Sequence, residues 1–293
     1  MSVEFAAELI RFGRLVAFPT ETVYGLGANA LDAAAVARIF DAKGRPRTSP
    51  LIVHVDSVEM ARGLAARWPE AAETLARRYW PGPLSLIVPK SEQVPDIVTA
   101  GLPTVALRMP AHPLALELIR AAGVPIAAPS ANRFTELSPT MAAHVPEDLA
   151  DYVLDGGPAR VGIESTVLSL VDSPVLLRPG TIPLPEIEAL IGPVALAAGP
   201  TGGAHQSPGM HARHYQPATR LYLLAAGDCP PEGHGACLRI GHEMPADASA
   251  YAAALYENLH RLDGQGFDWI AVEQPPDSPQ WAGVLDRLRR AAR

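Results

Sequence analysis

The sequence predicts an α/β protein built on a mixed sheet with helices on its faces, followed by a small parallel α/β domain. Across residues 1–199, short β-branched and aromatic runs alternate with amphipathic helical segments. Several connections between these runs are too short for parallel crossovers, so the sheet must be partly antiparallel. Over residues 219–293, strands alternate with helices, which is typical of a parallel unit.

Ordinary start and stop signals bound the elements of the first domain. Pro19 ends the strand at 15–18, because proline cannot donate to a ladder. Asp32 is the N-cap and Gly44 the C-cap of a helix at 33–43. The other predicted helices are 6–11, 58–80 with a break at Pro69, 112–122 and 141–150. The other predicted strands are 51–55, 84–88, 105–109, 126–128, 152–154, 166–171 and 175–177.

Residues 200–218 are predicted to be a linker, since Gly, Pro, His and Ser dominate there without any period. The domain that follows has predicted strands at 221–224, 236–240 and 269–272 and helices at 251–265 and 281–292. Histidines in the linker have no nearby carboxylate or cysteine set, so we name no metal ligand. Cys229 and Cys237 show no C-x-x-C spacing and receive no chemical role.

Composition narrows the class of protein. The chain has 293 residues, of which 48% are hydrophobic, and a formal net charge of -7. That charge argues against a protein whose main task is to coat nucleic acid. Because neither a signal segment nor an apolar run of about 18 residues is present, we expect a cytoplasmic protein with no membrane partner.

The most informative segment is the polar turn after the first strand, where Thr20, Glu21, Thr22 and Tyr24 lead into two glycines. Polar groups beyond a strand end usually face a ligand. The glycines nominally fit a dinucleotide fingerprint, but they do not follow the strand directly and no acidic ribose-binding residue comes about 20 residues later. The alternative is that they serve only to allow positive φ.

A basic cluster follows the helix at 33–43. Lys43, Arg45 and Arg47 lie together at its end, and such a cluster suits a polyphosphate because guanidinium groups can grip two oxygens together. A solvated basic turn is the alternative. His54 interrupts an apolar strand, a position more often occupied by a core or edge histidine than by a catalyst.

Five motifs follow one another along the chain. They are Pro-Thr-Glu-Thr-Val-Tyr-Gly-Leu-Gly (19–27), Lys-Gly-Arg-Pro with Pro-Leu-Ile-Val-His (43–54), Pro-Ser-Ala-Asn with Ser-Pro-Thr (129–140), Glu-Ser-Thr-Val (164–167) and Leu-Arg-Pro-Gly (177–180). In this order they resemble the YrdC-like domain of threonylcarbamoyl-AMP synthases. Residues 207–217 resemble the linker of the two-domain members. The resemblance implies an open twisted sheet of YrdC-like type.

The same resemblance implies a nucleotidyltransferase activity. L-threonine, bicarbonate or CO2, and ATP would condense to L-threonylcarbamoyladenylate with release of pyrophosphate, for the threonylcarbamoyladenosine modification of tRNA. ATP would be a substrate accompanied by Mg²⁺, and the transferase machinery that uses the adenylate would be a partner. Whether tRNA binds directly is left open, as is the role of the C-terminal domain. No covalent intermediate is needed, so positioning and charge stabilisation would carry the acceleration.

Site residues are carried over by motif position. Lys43 and Arg45 would be catalytic, with Lys43 facing the phosphates. L-threonine would be held by Thr22, His54, Arg108, Ala128 and Ser165. ATP would be held by Arg45, Ser49, Thr104, Ser130, Ser138 and Arg178, with Arg213 and Tyr215 of the linker closing the pocket.

Two departures from the family pattern bear on these assignments. Ser49 and Asp286 stand where the family favours Asn, and a serine hydroxyl at position 49 would reach a nucleotide through water. Two other functions stay open. One is a carbamoyl-transfer enzyme for metallocentre maturation, disfavoured by the absence of zinc-type cysteine motifs. The other is an RNA-binding module without catalysis, disfavoured by the acidic balance.

Overall fold

The computed structural model describes residues 2–197, 214–225 and 227–292. Its first part forms a mixed sheet with strands in the order β10-β9-β8-β4-β5-β3-β6-β2-β1-β7. Those strands are β1 Val16–Phe18, β2 Gly25–Asn29, β3 Ile52–His54, β4 Leu84–Pro89, β5 Thr104–Arg108, β6 Ile126–Ala127, β7 Tyr152–Val153, β8 Thr166–Ser169, β9 Val175–Arg178 and β10 Ala195–Leu196. The helices here are α1 Val3–Arg11, α2 Ala33–Lys43, α3 Val58–Leu64, α4 Glu70–Tyr79, α5 Asp96–Thr99, α6 Pro113–Ala122 and α7 Leu184–Ile191.

Strand pairing confirms the predicted mixed sheet. β3 pairs with β5 and β4 with β8 in parallel, whereas β4–β5, β8–β9, β1–β2 and β2–β6 are antiparallel. One face of the sheet packs against α2 and α4 to form the main core. The opposite face is divided, because α1 and α6 cover the β1–β6 end, whereas the β4–β9 end carries a small apolar cluster made of side chains of the strands themselves. The polar side chains at the ends of β3 and β5 line a cavity on this face.

A second sheet, with strand order β11-β13-β12, is parallel as predicted. Its elements are β11 Arg220–Leu224, β12 Gly235–Leu238, α8 Ala248–Asp263, β13 Trp269–Glu273 and α9 Ala282–Ala291. We call this part the second domain. Its own core includes Leu255, Ile270 and Leu288. Within the described residues, no helix combines the length and apolarity needed to cross a membrane.

Two sequence predictions are wrong in detail. The helix expected at 141–150 is only a 3-10 turn at Ala142–His144, because Pro146 disfavours the helical conformation of the residue before it. The two-glycine exit from the polar turn is strand β2. Gly25 and Gly27 have ordinary φ values, so positive φ does not explain them.

Gly27 is required by packing instead. A Cβ atom at this position would lie 2.8 Å from Ile126 Cγ2 and 2.8 Å from the Phe18 ring. Both neighbours are fully buried and cannot move away. The side chain is therefore absent because strand β2 runs beneath the ring of Phe18.

We predict that Gly27→Ala destabilises the protein by about 1 to 3 kcal/mol, because overpacking forces buried neighbours apart. Gly63→Ala is the matched control, since Gly63 lies exposed in α3 with open space around its Cα. That change should stabilise the protein by roughly 0.5 to 1 kcal/mol. Urea unfolding of both variants measures the difference, and a neutral Gly27→Ala would contradict the packing explanation.

Candidate functional site

A cavity opens on the divided sheet face, where the polar turn meets the ends of β3, β5 and β9. Both strand ends and loops contribute side chains to it. Its lining consists of Thr20, Thr22, Val23, Gly25, Arg45, Ile52, His54, Arg108, Ala128, Pro129, Ser130, Glu164, Ser165, Arg178, His214 and Tyr215.

The polar turn is rigid because its own hydroxyls close it. The Thr20 hydroxyl donates to the Val23 carbonyl at 2.7 Å and lies 2.8 Å from the Thr22 hydroxyl. The backbone N–H groups of Thr22 and Val23 donate to the same Thr20 oxygen at 3.2 Å. The turn thus holds the Thr22 side chain at the cavity wall without help from a ligand.

His54 and Arg108 are paired residues at the ends of parallel strands β3 and β5. The His54 ring stands edge-on to Phe18, with centroids 5.9 Å apart, and its Nδ1 atom has no hydrogen-bond partner within the described structure. Burial, reinforced by the positive charge of Arg108, lowers the pKa of His54 to about 3. The imidazole is therefore neutral and presents an unused nitrogen.

Arg108 is held by a carboxylate that the predicted site did not include. Its Nη2 atom donates to Glu21 Oε1 at 2.6 Å, and its Nε atom donates to the Gly82 carbonyl at 3.2 Å. Glu21 Oε2 in turn accepts the backbone N–H of Ala111 at 2.9 Å. Both side chains are only 4% exposed, so this is a buried ion pair. Glu21 belongs to the polar turn after the first strand, and this position could have identified it from the sequence as a residue of the site.

Arg45 follows the left-handed C-cap Gly44, whose φ of 63° turns the chain away from α2 and towards the cavity. Its Nη2 atom donates to the Pro50 carbonyl at 3.1 Å, and its guanidinium lies over the Phe134 ring at 5.8 Å. Burial lowers the pKa of Arg45 to about 10. A buried guanidinium of this kind gains from an anion in the cavity.

Lys43 lies behind the cavity wall and is not part of its lining. Its ammonium donates to the carbonyl oxygens of Ser130, at 2.6 Å, and of Asn132. Burial, followed by repulsion from Arg45, holds the Lys43 pKa well below its usual range. The Lys43 ammonium therefore binds the loop that carries Ser130 and does not enter the cavity.

Ser165 and Arg178 form the wall opposite the polar turn. The Arg178 guanidinium donates to the Ser165 carbonyl at 3.1 Å and to its hydroxyl at 3.2 Å. The Ser165 hydroxyl also lies 2.7 Å from that of Ser85, a buried residue of β4. Glu164, which the predicted site omitted, lines the cavity beside Ser165.

Several predicted site residues do not reach the cavity. Ser138 donates its hydroxyl to Glu164, and Ser49 is buried in the turn after α2. Thr104 begins β5 and lines a separate depression, four residues or roughly 13 Å from Arg108. Because alternate residues of a strand share a face, Thr104 still lies on the Arg108 side of the sheet. Arg213 falls outside the described residues.

The described ranges contain no cluster of three or more His, Cys, Asp or Glu residues arranged to bind a metal ion. Thr22, His54, Arg108, Ala128 and Ser165 all line one cavity, together with Arg45, Ser130, Arg178 and Tyr215. The cavity therefore combines serine and threonine hydroxyls and a neutral imidazole with three buried guanidinium groups.

Comparison with known proteins places the chain in the Sua5, YciO and YrdC class. A family model described as "Telomere recombination" matches residues 8–180, and one described as "Threonylcarbamoyl-AMP synthase, C-terminal domain" matches residues 182–293. The chain belongs to the threonylcarbamoyl-AMP synthase family.

Similar proteins match over nearly the full length. The threonylcarbamoyl-AMP synthase of Pyrococcus abyssi is 44% identical, with 99% of this chain and 94% of that protein covered. The Bacillus subtilis protein of the same name is 43% identical, with 98% and 92% covered. A crystal structure of P. abyssi Sua5 complexed with L-threonine superposes with a TM-score of 0.92 at 42% identity, covering 99% of this chain and 94% of that one.

We predict that His54 makes folding sensitive to acid. The folded pKa of about 3 lies below the ordinary value, so the unfolded chain binds more protons as the pH falls below about 6.5. Between about pH 7 and pH 5 this residue should remove on the order of 1 to 2 kcal/mol from the free energy of unfolding.

Urea unfolding of the wild type and of His54→Asn at both pH values measures that contribution. His54→Asn should lose less stability on acidification, whereas His242→Asn, a change at an exposed imidazole, should behave like the wild type. Equal pH dependence in the wild type and His54→Asn would contradict the neutral, buried state of His54.

Proposed function

We propose that this chain is a nucleotidyltransferase that makes L-threonylcarbamoyladenylate from L-threonine, CO2 or bicarbonate, and ATP, releasing pyrophosphate. The product would serve the threonylcarbamoyladenosine modification of tRNA. The observation that carries the proposal is that one cavity brings a neutral histidine and hydroxyl groups together with three buried arginines. Family membership and the L-threonine complex of the similar P. abyssi structure support the same activity.

We assign the amino acid to the side of the cavity formed by the polar turn and the ends of β3 and β5. Arg108 provides a guanidinium for the threonine carboxylate, and Glu21 fixes the orientation of that guanidinium from behind. The unpartnered His54 Nδ1 and the Thr22 hydroxyl are available to the threonine hydroxyl. A site with such polar groups favours threonine over amino acids that lack a hydroxyl, because these would leave the groups unpaired.

We assign the ATP phosphates to the side formed by Arg45, Ser130 and Arg178. Each guanidinium is buried, so its interaction with phosphate is weakly screened by water. Lys43 supports this side indirectly, by clamping the carbonyl of Ser130. A nucleotide that extends along the Arg108 face of β5 would reach Thr104, so Thr104 stays a proposed ATP contact.

Mg²⁺ is assigned to the phosphates of ATP. Glu164, which lines the cavity, and Glu21, which lies behind Arg108, already pair with arginines, and no three-residue cation site occurs in the ranges described. Magnesium ions commonly bind substrate phosphates and water with few protein ligands. The protein's own contribution is therefore argued below without the ion.

Two steps form the product. The threonine nitrogen attacks the carbon of CO2 and loses a proton, which gives a carbamate. A carbamate oxygen then attacks the α-phosphorus as the bond to the bridging oxygen breaks, and pyrophosphate leaves. Arg45 and Arg178 would stabilise the charge that develops on the phosphate oxygens. The buried ring of Tyr215 closes one side of the cavity and would limit hydrolysis of the adenylate.

The two alternatives have weaker support. The carbamoyl-transfer alternative gains nothing from the comparison with solved structures. A crystal structure of HypF shares the fold at 24% identity and a TM-score of 0.55, but this chain spans only 29% of that protein, so the likeness concerns the fold alone. An RNA-binding module needs cations that reach a phosphate backbone. Arg45, Arg108 and Arg178 are 3–6% exposed, which favours a small ligand.

Pyrophosphate release tests the proposal. Purified protein with ATP and bicarbonate should release pyrophosphate when L-threonine is added, much less with L-valine, which lacks the hydroxyl, and none without an amino acid. Absence of threonine-dependent release, together with absence of threonine binding by calorimetry, would refute the proposed function. RNA binding that weakens steeply with salt would then favour the module.

We predict that Arg45→Ala reduces kcat/KM for ATP severely. Loss of a buried charged partner of a phosphate costs about 2 to 5 kcal/mol, or roughly a 30-fold to several-thousand-fold loss. Arg47→Ala is the matched control, because Arg47 is 62% exposed and pairs with the exposed Asp41 at 3.3 Å. Arg47→Ala should keep its activity, and equal effects of the two changes would remove Arg45 from the site.

A further inference from the structure

The second domain packs directly onto the two loops that form the Ser165–Arg178 wall of the cavity. A Cβ atom on Gly162 would lie 2.3 Å from the Ala252 carbonyl oxygen of α8. A Cβ atom on Gly283 of α9 would lie 2.5 Å from the Gly180 carbonyl oxygen. Both contacts bring backbone against backbone, so the second domain forms the rear support of this wall.

Glu164 is the centre of that contact. Its carboxylate accepts hydrogen bonds from Arg287 Nε at 2.7 Å, from the Tyr256 hydroxyl at 3.2 Å and from the Ser138 hydroxyl. The first two donors belong to the second domain, and the third belongs to the first domain. The Arg287 side chain is 1% exposed and that of Glu164 is 9% exposed, so the charges are almost fully removed from water.

Arg287 also grips the backbone of both loops. Its Nη2 atom donates to the Glu164 carbonyl at 3.0 Å, and its Nη1 atom donates to the Pro179 carbonyl at 2.9 Å. These carbonyls immediately precede Ser165 and follow Arg178 in the chain. One side chain of the second domain therefore contacts the backbone next to both residues of the cavity wall.

The contact between Arg287 and Glu164 affects the cavity through the charge of Glu164. Glu164 adjoins Ser165, to which Arg178 donates two hydrogen bonds, so the Glu164 carboxylate and the Arg178 guanidinium share one buried region. Burial raises the pKa of Glu164, but attraction to Arg287, and then to Arg178, holds it below the usual range. An anionic Glu164 without Arg287 would have Arg178 as its nearest remaining compensation.

We propose that Arg287 is a positioning residue that neutralises Glu164 from the second domain, so that the Arg178 guanidinium stays directed at Ser165 and at the phosphates. This inference rests on the proposed assignment of ATP to the Arg178 side of the cavity. It gives the second domain a role in building the ATP site, and Arg287 itself touches no reacting atom.

The test replaces Arg287 by Met, which removes the charge and keeps most of the side-chain volume. The KM for ATP should rise about tenfold or more. The KM for L-threonine should change less than about threefold, because among the proposed threonine contacts Ser165 alone lies on this wall, and its hydroxyl is also held by Ser85. Arg289→Met is the matched control, because Arg289 lies on the same helix, is 54% exposed and is 3.9 Å from an exposed Asp277. The control should leave both KM values unchanged.

A second substitution distinguishes positioning from general loss of structure. Glu164→Gln combined with Arg287→Met removes both buried charges and keeps an amide for Ser138 and Tyr256, so the KM for ATP should return to within about threefold of the wild type. This double variant also decides the matter if Arg287→Met alone does not fold. Thermal unfolding of every variant shows which of them are folded.

Three results would overturn the positioning role: unchanged KM values in folded Arg287→Met, an equal rise in both KM values, or a folded double variant whose KM for ATP stays raised. Failure of the proposed function looks different. In that case, the wild type and Arg289→Met would also show no threonine-dependent pyrophosphate release.

Discussion

The compensation of buried charge is the constraint on which the rest of this structure depends. Arg108 is neutralised by Glu21, and Arg287 by Glu164, at distances of 2.6 and 2.7 Å in nearly dry surroundings. Removal of one partner from such a pair is costly, because the remaining charge is left without water or a counter-charge. The pairs therefore hold the cavity walls in one arrangement. Arg45, whose pKa is lowered by burial, keeps a positive charge in the same region that an anionic substrate can stabilise.

This constraint also connects the two domains. The first domain supplies the polar turn and the strand ends, and the second domain supplies the groups that surround Glu164. His260 of α8 adds a contact, with its Nε2 atom 3.1 Å from the Ser138 carbonyl. An ion pair buried between two domains indicates that they pack against each other in a fixed arrangement. The ligand site and the domain contact are thus parts of one polar network.

Much of the fold and of the site could be predicted from the sequence. The family motifs named residues such as His54 and Arg178, which line the cavity, but also Ser49 and Ser138, which do not. Short connections correctly indicated a mixed sheet. Strand β2 was missed because Gly25 and Gly27 have low strand propensity. The close approach of Phe18 to both glycines, and of Ile126 to Gly27, explains the choice of glycine there. Glu164 and Arg287 lie 123 residues apart, so no local pattern could show that they meet. Lys43 was assigned to the phosphates on its charge, whereas its hydrogen bonds to two carbonyls depend on tertiary packing.

In the proposed reaction, the cavity joins an amino acid to a nucleotide through a carbon atom taken from CO2. The most direct test of this reaction is mass spectrometry of the product formed from ATP, L-threonine and carbon-13 bicarbonate. We expect one adenylate that carries both the threonine and a single labelled carbon, formed in step with pyrophosphate. A threonine-containing adenylate without the label, or a labelled product formed without threonine, would contradict the account.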